Sequence, residues 1–268
     1  MSTTSDSNNS PNYTNPPVRE VAIAFLFNNN CTNEEFTNRI NSFIDKVHPD
    51  FFVTQKRYKL SPLENNDIDE KPDNEIELKK MVQFEQTLIG VIFHDIPKTI
   101  QLSLSAKHFL LKCLRTEGQI PRYNSTRDFT LSRFEVLSVK YEQISSIRLF
   151  YRDIIEPKQE EHIDFNTYFN INNDVIPFEG GKLEYFQTVL NISNKIGSPS
   201  TLLFAIDQRE NSEQQTRFIL NWQIDITLNE NNAKKDSIVA LLDNAHCILS
   251  DYFESILNGN CKALFNEE

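Results

Sequence analysis

Residues 217–228 read RFILNWQIDITL, and residues 235–257 read KDSIVALLDNAHCILSDYFESIL. In the first stretch apolar and polar side chains alternate, which is the period of a strand with one buried face. In the second stretch apolar residues recur at steps of three and four, which places them on one stripe of a helix. The sequence therefore predicts a long half-buried strand and an amphipathic C-terminal helix that packs beside it.

Strand-like segments dominate the chain upstream of this pair. The predicted strands occupy residues 18–27, 51–60, 81–88, 90–94, 99–105, 108–114, 146–155, 183–192, 201–208 and 217–228. The last three predict a three-stranded antiparallel meander on which the C-terminal helix packs. Only about three helices interrupt the strands, after residue 32, near residues 131–141 and at the C-terminal end. The pattern predicts an α+β fold with predominantly antiparallel sheet rather than a Rossmann-type fold.

The domain organisation follows from composition along the chain. Residues 1–17 are mostly Ser, Thr, Asn and Pro, which predicts a disordered tail. Residues 18–268 are predicted to form a single α+β domain, and two intimately packed halves, 18–115 and 127–268, remain an alternative. The acidic stretch at residues 64–77 is interpreted as a solvated loop.

Charge and cysteine content restrict the partners and the compartment. The net charge is −11, which disfavours binding to a nucleic-acid phosphate backbone. The four cysteines form no Cys-x-x-Cys pair and follow no secretory segment, which indicates a cytoplasmic protein. No apolar run approaches the ~20 residues that a membrane-spanning helix needs. We therefore predict no membrane association and expect a protein partner or a homo-oligomer.

Motifs for the common chemistries are not found in the sequence. The six glycines cannot form a dinucleotide-binding or P-loop pattern, which needs glycine where the backbone approaches phosphate. No nucleophile elbow occurs. No two of the five histidines have metal-ligand spacing on one element, and none pairs with a nearby cysteine. The sequence therefore predicts neither a cofactor nor a metal site.

Several polar residues remain as candidates for binding. His246 lies on the apolar stripe of the C-terminal helix, either as a core histidine bonded to a strand or as a ligand or proton-transfer group. Glu20 and Arg148 are distant polar residues that could join it in one site. Arg57 and Lys59 share a strand face, which suits either nucleic-acid contact or a sheet edge protected by basic residues.

Three short motifs give this chain a resemblance to a known family. They are residues 15–21 (NPPVREV), residues 181–184 (GKLE) and residues 242–246 (LDNAH), the last followed by Phe253. The chain resembles a sporadically distributed, functionally uncharacterised family of bacterial and archaeal proteins with an Asn-Pro-Pro-x-x-Glu-Val opening and a C-terminal Leu-Asp-x-x-His helix. The resemblance covers nearly everything after the tail and singles out Glu20, Asp243 and His246.

The chain departs from that family in one strand. The family carries Leu-Arg-Tyr-x-Asn-Arg-Ile, and residues 148–154 read RLFYRDI. Leu149, Phe150 and Arg152 therefore stand at the arginine, tyrosine and asparagine positions, so a site built on that trio is lost or altered. The resemblance implies no activity, although its patchy distribution is like that of genes moved among accessory and defence loci.

These observations favour a cytoplasmic, non-enzymatic interaction or sensor/accessory protein, which acts through protein partners and belongs to a mobile or defence locus. The alternative is a small-molecule or nucleotide-binding enzyme with a site built around His246, Glu20 and Arg148. A third hypothesis is nucleic-acid binding through Arg57 and Lys59, which would be sensitive to salt.

Overall fold

A continuous apolar row crosses the sheet of this protein, with one side chain from each of nine strands. Neighbouring members of the row lie directly opposite one another in the strand registers. In spatial order the row is Val53, Phe93, Leu102, Leu111, Ile23, Leu149, Ile224, Leu202 and Leu190. The seven inner members are at most 1% exposed. Because opposite residues project to the same face, one face of the sheet carries the core.

The computed structural model describes Tyr13 and residues 15–28, 32–47, 50–62, 84–157, 165–170, 185–210 and 216–266. The strands are β1 (Val18–Phe27), β2 (Phe51–Pro62), β3 (Phe84–Asp95), β4 (Ile100–Ser105), β5 (His108–Leu114), β6 (Ile144–Ile155), β7 (Tyr185–Asn191), β8 (Ser200–Glu210) and β9 (Thr216–Thr227). The helices are α1 (Asn33–Val47), α2 (Tyr123–Val136), α3 (Phe165–Tyr168), α4 (Ser193–Ile196), α5 (Lys235–Ile256) and α6 (Gly259–Leu264), with a 3₁₀ turn at Tyr141–Gln143.

The nine strands form one sheet in the order β2-β3-β4-β5-β1-β6-β9-β8-β7. Every neighbouring pair is antiparallel, so the prediction of an antiparallel sheet is confirmed. The pair β1 and β6 lies near the centre and joins the N-terminal strands to the C-terminal strands.

The predicted fold class, an α+β protein with about three helices and an amphipathic C-terminal helix packed on a three-stranded meander, is wrong. A single nine-stranded sheet dominates, and short helices are added at α3, α4 and α6. The proposed meander does not end at β9, because β9 pairs with β8 along one edge and with β6 along the other. The alternation of apolar and polar residues identifies a strand but does not show which strands pair with it. The N–H and C=O groups along a buried strand edge need hydrogen-bond partners, so a second neighbouring strand is required there. Helix α5 consequently packs on β6 and β9 at the centre of the sheet.

The long helices cover the face that carries the apolar row, which we call the helix face. In α1, Phe43 packs edge-on against Phe93 with ring centroids 5.4 Å apart. In α2, Phe134 makes the same kind of contact with Phe25 at 4.9 Å. The opposite face, which we call the polar face, carries polar and charged side chains of β6 and β9 and small buried side chains of β1 such as Ala22. An antiparallel sheet with one packed face has this distribution.

Two local predictions have different outcomes. The helix predicted after residue 32 is confirmed as α1, where Thr32 and Glu35 form a reciprocal capping box: Glu35 N donates to Thr32 Oγ1 at 3.2 Å and Thr32 N donates to Glu35 Oε2 at 2.9 Å. The two strands predicted at 81–88 and 90–94 are one strand, β3. Gly90 does not break it, since a Cβ there would lie 3.4 Å from the Leu104 carbonyl oxygen and the glycine instead permits close strand packing.

Some predicted features lie outside the described residues: the acidic loop at 64–77, the motif at 181–184 and residues 1–12 and 14 of the predicted tail. Tyr13 and residues 15–17 lie beside the end of α6. The Asn15 amide donates to the Phe265 carbonyl oxygen at 2.8 Å, and the Tyr13 ring packs edge-on against Phe265. Among the helices of the described part, none is long and apolar enough to cross a membrane.

The one-sided core gives a direct test with two adjacent leucines of β8. Leu202 belongs to the apolar row and is 1% exposed, whereas Leu203 projects to the polar face and is half-buried. We expect Leu202→Ala to lower the free energy of unfolding by about 2–5 kcal/mol through lost burial and a residual cavity. The control variant Leu203→Ala should lose markedly less. Urea denaturation followed by circular dichroism measures both, and equal losses would contradict the assignment of faces.

Candidate functional site

A cavity of about 230 Å³ lies between the helix face of the sheet, α5 and the segment that precedes β1. The sheet contributes Tyr151 and Asp153 from β6 and Trp222 from β9. Tyr151 and Trp222 are directly opposite one another in the register of these strands. Helix α5 contributes His246 and Phe253 among others, and both lie on the apolar stripe that the sequence shows. The stripe that fills the core therefore also forms one wall of the cavity.

Asp153 is a buried carboxyl group on the sheet side of this cavity. Its side chain is 3% exposed, and Trp222 Nε1 donates a hydrogen bond to Asp153 Oδ2 at 2.9 Å. Asp153 Oδ1 is also buried and has no hydrogen-bond partner among the described residues. Burial raises the pKa of Asp153 to about 7, and the hydrogen bond from Trp222 opposes that shift. The cavity wall thus contains a carboxyl group that exchanges its proton near neutral pH.

His246 is both bonded to a strand and exposed to the cavity, so the two interpretations of this residue are combined. A 2.9 Å hydrogen bond joins His246 Nδ1 and the Tyr151 hydroxyl. The imidazole stacks on the Tyr123 ring of α2 with 4.1 Å between centroids. Burial lowers the pKa of His246; Asp243 opposes this shift and Arg127 reinforces it. The imidazole is therefore mostly neutral at pH 7.

Asp243, one helical turn before His246, fastens α5 to α2. Its Oδ1 accepts hydrogen bonds from the Tyr123 hydroxyl and from Arg127 Nη1, each at 2.6 Å. The Tyr123 ring that Asp243 holds in this way is the ring that stacks on His246. Asp243 does not line the cavity, and it acts as a positioning residue for the imidazole.

Glu20 and Arg148 lie away from His246, on the polar face of the sheet. Glu20 is 5% exposed and forms an ion pair with Lys112 Nζ at 2.9 Å. Arg148 Nε donates to Asp225 Oδ1 at 2.5 Å across β6 and β9. Because the sheet separates these residues from α5, the structure does not bring them into one site with His246.

Arg57 and Lys59 are exposed on β2, the edge strand farthest along the sheet from β9. They are remote from the cavity, which lies against β6 and β9. Of the six residues singled out by sequence, the structure therefore brings together only Asp243 and His246, which already share one helix.

The segment before β1 closes part of the cavity. The Tyr13 hydroxyl donates to both carboxylate oxygens of Glu254, at 2.8 and 3.0 Å, and Lys262 Nζ lies 3.1 Å from the same carboxylate. Burial is the main factor that raises the pKa of Tyr13, so its phenol stays protonated and remains a donor. An occupant of the cavity would therefore touch the N-terminal segment as well as α5.

Sequence reasoning missed Tyr151, Asp153 and Tyr123. The sequence pattern could have identified one of them. Asp153 lies on the apolar face of β6 in line with Leu149 and Tyr151, where an acidic side chain is unusual. No sequence pattern indicates Tyr123, because its role depends on the packing of α2 against α5.

The raised pKa of Asp153 predicts a dependence of stability on pH. The native carboxyl holds its proton more tightly than the unfolded one, so the contribution of Asp153 to the stability of the wild-type protein falls as pH rises from about 4 to about 7. Asp153→Asn keeps an acceptor for Trp222 and cannot ionise. Relative to wild type, we expect its free energy of unfolding to rise by up to about 4 kcal/mol between pH 4 and pH 8.

Urea denaturation at several pH values measures that difference. Asp251→Asn, an exposed change on α5, is the matched control and should show a constant difference from wild type. A constant difference for Asp153→Asn as well would mean that the carboxyl ionises normally in the native state.

No protein-family model, curated protein or solved structure matches this chain. The resemblance to the sporadically distributed family therefore stays a prediction that depends on short motifs. What the geometry adds is a location for two residues of one motif: Asp243 holds α5 against α2, and His246 lies between that contact and the cavity.

Proposed function

We propose that this chain is a cytoplasmic, non-enzymatic sensor or accessory protein that binds a small organic molecule in the cavity beneath α5. The observation that carries the proposal is the cavity itself, with aromatic walls and a buried carboxyl group whose Oδ1 has no partner within the described residues. Binding pockets have this character, mostly apolar with a few polar groups that orient the ligand.

The size of the cavity limits the ligand. Pockets for drug-sized molecules have volumes of roughly 300–1,000 Å³. The volume here is about 230 Å³, so the ligand is smaller than a drug-sized compound. The carboxylates of Asp153 and Glu254 both line the cavity and would repel a nucleotide phosphate.

A sensor must change a surface that a partner recognises. The cavity is bounded by the segment before β1 and by α5, and the contact between Tyr13 and Glu254 joins these two parts at its rim. A ligand that contacts both favours the conformation in which they are held together. A protein partner or a second copy of the chain would recognise the surface that changes in this way. That role is in keeping with an accessory component of a mobile or defence locus.

One observation favours an enzyme as the second candidate. The Tyr151 hydroxyl and the His246 imidazole are hydrogen-bonded to each other on the cavity wall, and Asp153 is two residues further along β6. These groups could transfer a proton to or from a bound molecule. The two candidates differ in one measurement: a sensor releases its ligand chemically unchanged, whereas an enzyme converts it and loses that conversion in a folded His246→Ala variant.

Blocking the cavity tests whether it is a binding site. Ser250 of α5 lines the cavity, and Ser250→Trp would fill it with an indole ring. Purified protein is incubated with an extract of small metabolites, and retained compounds are identified by mass spectrometry after ultrafiltration. We expect wild type to retain one or a few compounds and Ser250→Trp to lose at least nine-tenths of them.

The matched control is Ala240→Trp, which adds the same ring at an exposed position of α5 outside the cavity lining. It should retain the same compounds as wild type. Retention by Ser250→Trp equal to that of the control, or no compound retained by wild type, would refute the proposed function.

A further inference from the structure

We infer that the ligand is a small organic ammonium ion whose N–H group donates to Oδ1 of Asp153 and whose apolar body lies against Trp222 and Phe253. This inference depends on the proposed function, since it names the ligand class of the same cavity. Its evidence is separate: the unused acceptor, the aromatic surfaces and the distribution of charge around them.

The acceptor is a single, fixed oxygen atom. Trp222 Nε1 donates a hydrogen bond to Asp153 Oδ2 at 2.9 Å, and this bond holds the carboxyl group in one orientation. The other oxygen, Oδ1, has less than 1 Å² of accessible surface and no hydrogen-bond partner in the described part of the chain, so a donor in the cavity reaches it only when the side chains that cover it move aside. An unsatisfied buried acceptor has a free-energy cost that a donor in the cavity would remove. A charged donor gives the strongest such bond.

The walls next to this acceptor suit a cation. The Trp222 indole is stacked on Phe204 with 4.0 Å between centroids, and Phe253 packs edge-on against it at 6.0 Å. These contacts fix the aromatic surfaces of Trp222 and Phe253 that line the cavity. Aromatic faces attract ammonium groups and also bury their carbon substituents, and Trp is the most effective of them.

Of the carboxyl groups that line the cavity, Asp153 is the one that lacks a partner of opposite charge among the described residues. Glu254 already has Lys262 at 3.1 Å and accepts one hydrogen bond from the Tyr13 hydroxyl, which its two carboxylate oxygens share. The imidazole of His246 is mostly neutral at pH 7, because burial lowers its pKa. Asp153 forms no ion pair with a described residue, and no lysine or arginine of the described chain lines the cavity. A bound ammonium ion would supply the missing partner.

The test compares two probes of equal size, benzylamine and benzyl alcohol, which differ in the charged donor. Affinities are measured at pH 8 by nuclear magnetic resonance titration of the full chain, because the pKa of Asp153 is raised to about 7 and the carboxyl is then mostly ionised. We expect wild type to bind benzylamine at least tenfold more tightly than the alcohol. Asp153→Asn should reduce that ratio to near one.

The control Asp251→Asn removes an exposed charge from α5 and should keep the wild-type ratio. A ratio near one in wild type, or an unchanged ratio in Asp153→Asn, would overturn the ammonium assignment, as would failure of wild type to bind benzylamine at 20 mM. If both probes bind equally and Ser250→Trp abolishes both, the binding cavity stands and only the ligand class is wrong. The retention experiment with metabolites decides the proposed function separately.

Discussion

The fold depends on one constraint: the buried side chains of nine strands must project to the same face of one sheet. The row from Val53 to Leu190 shows that the registers of all eight strand pairs agree on this. A shift of one residue in any pair would turn the strands beyond it over and expose their apolar side chains. With the core on one side only, helices α1, α2 and α5 have a single face to cover, and ion pairs such as that of Glu20 with Lys112 are left on the other.

The cavity lies where this apolar face is interrupted. Along β6 the positions on the helix face run from Leu149 through the partly buried Tyr151 to Asp153, and the last of these is a carboxyl group instead of an aliphatic side chain. A buried acid with one unused oxygen lowers stability compared with an apolar residue. Natural sequences tend to break their own packing rules at sites of function. The same position thus explains why the core is imperfect there and where a ligand would be held.

Sequence patterns predict the individual strands and helices but do not predict which strands pair and which helices pack together. The alternation of residues 217–228 identified β9 and the stripe of 235–257 identified α5, because both patterns record local burial. The neighbour of β9 across its second edge is β6, far away in the chain, and no local pattern records such a pairing. His246 was found from its place on the stripe. Tyr123 was not, since its stacking on His246 exists only after α2 meets α5.

The pairing of β1 with β6 has a consequence during synthesis. Strand β1 leaves the ribosome well before β6, and its residues from Glu20 to Ala24 are buried in the finished protein. One of its edges is taken by β5, but the other stays unpaired until β6 has emerged many residues later. An apolar strand with an open edge is a template for aggregation. Nascent chains of this protein are therefore expected to need shielding, by the ribosome surface or a chaperone, until the centre of the sheet closes.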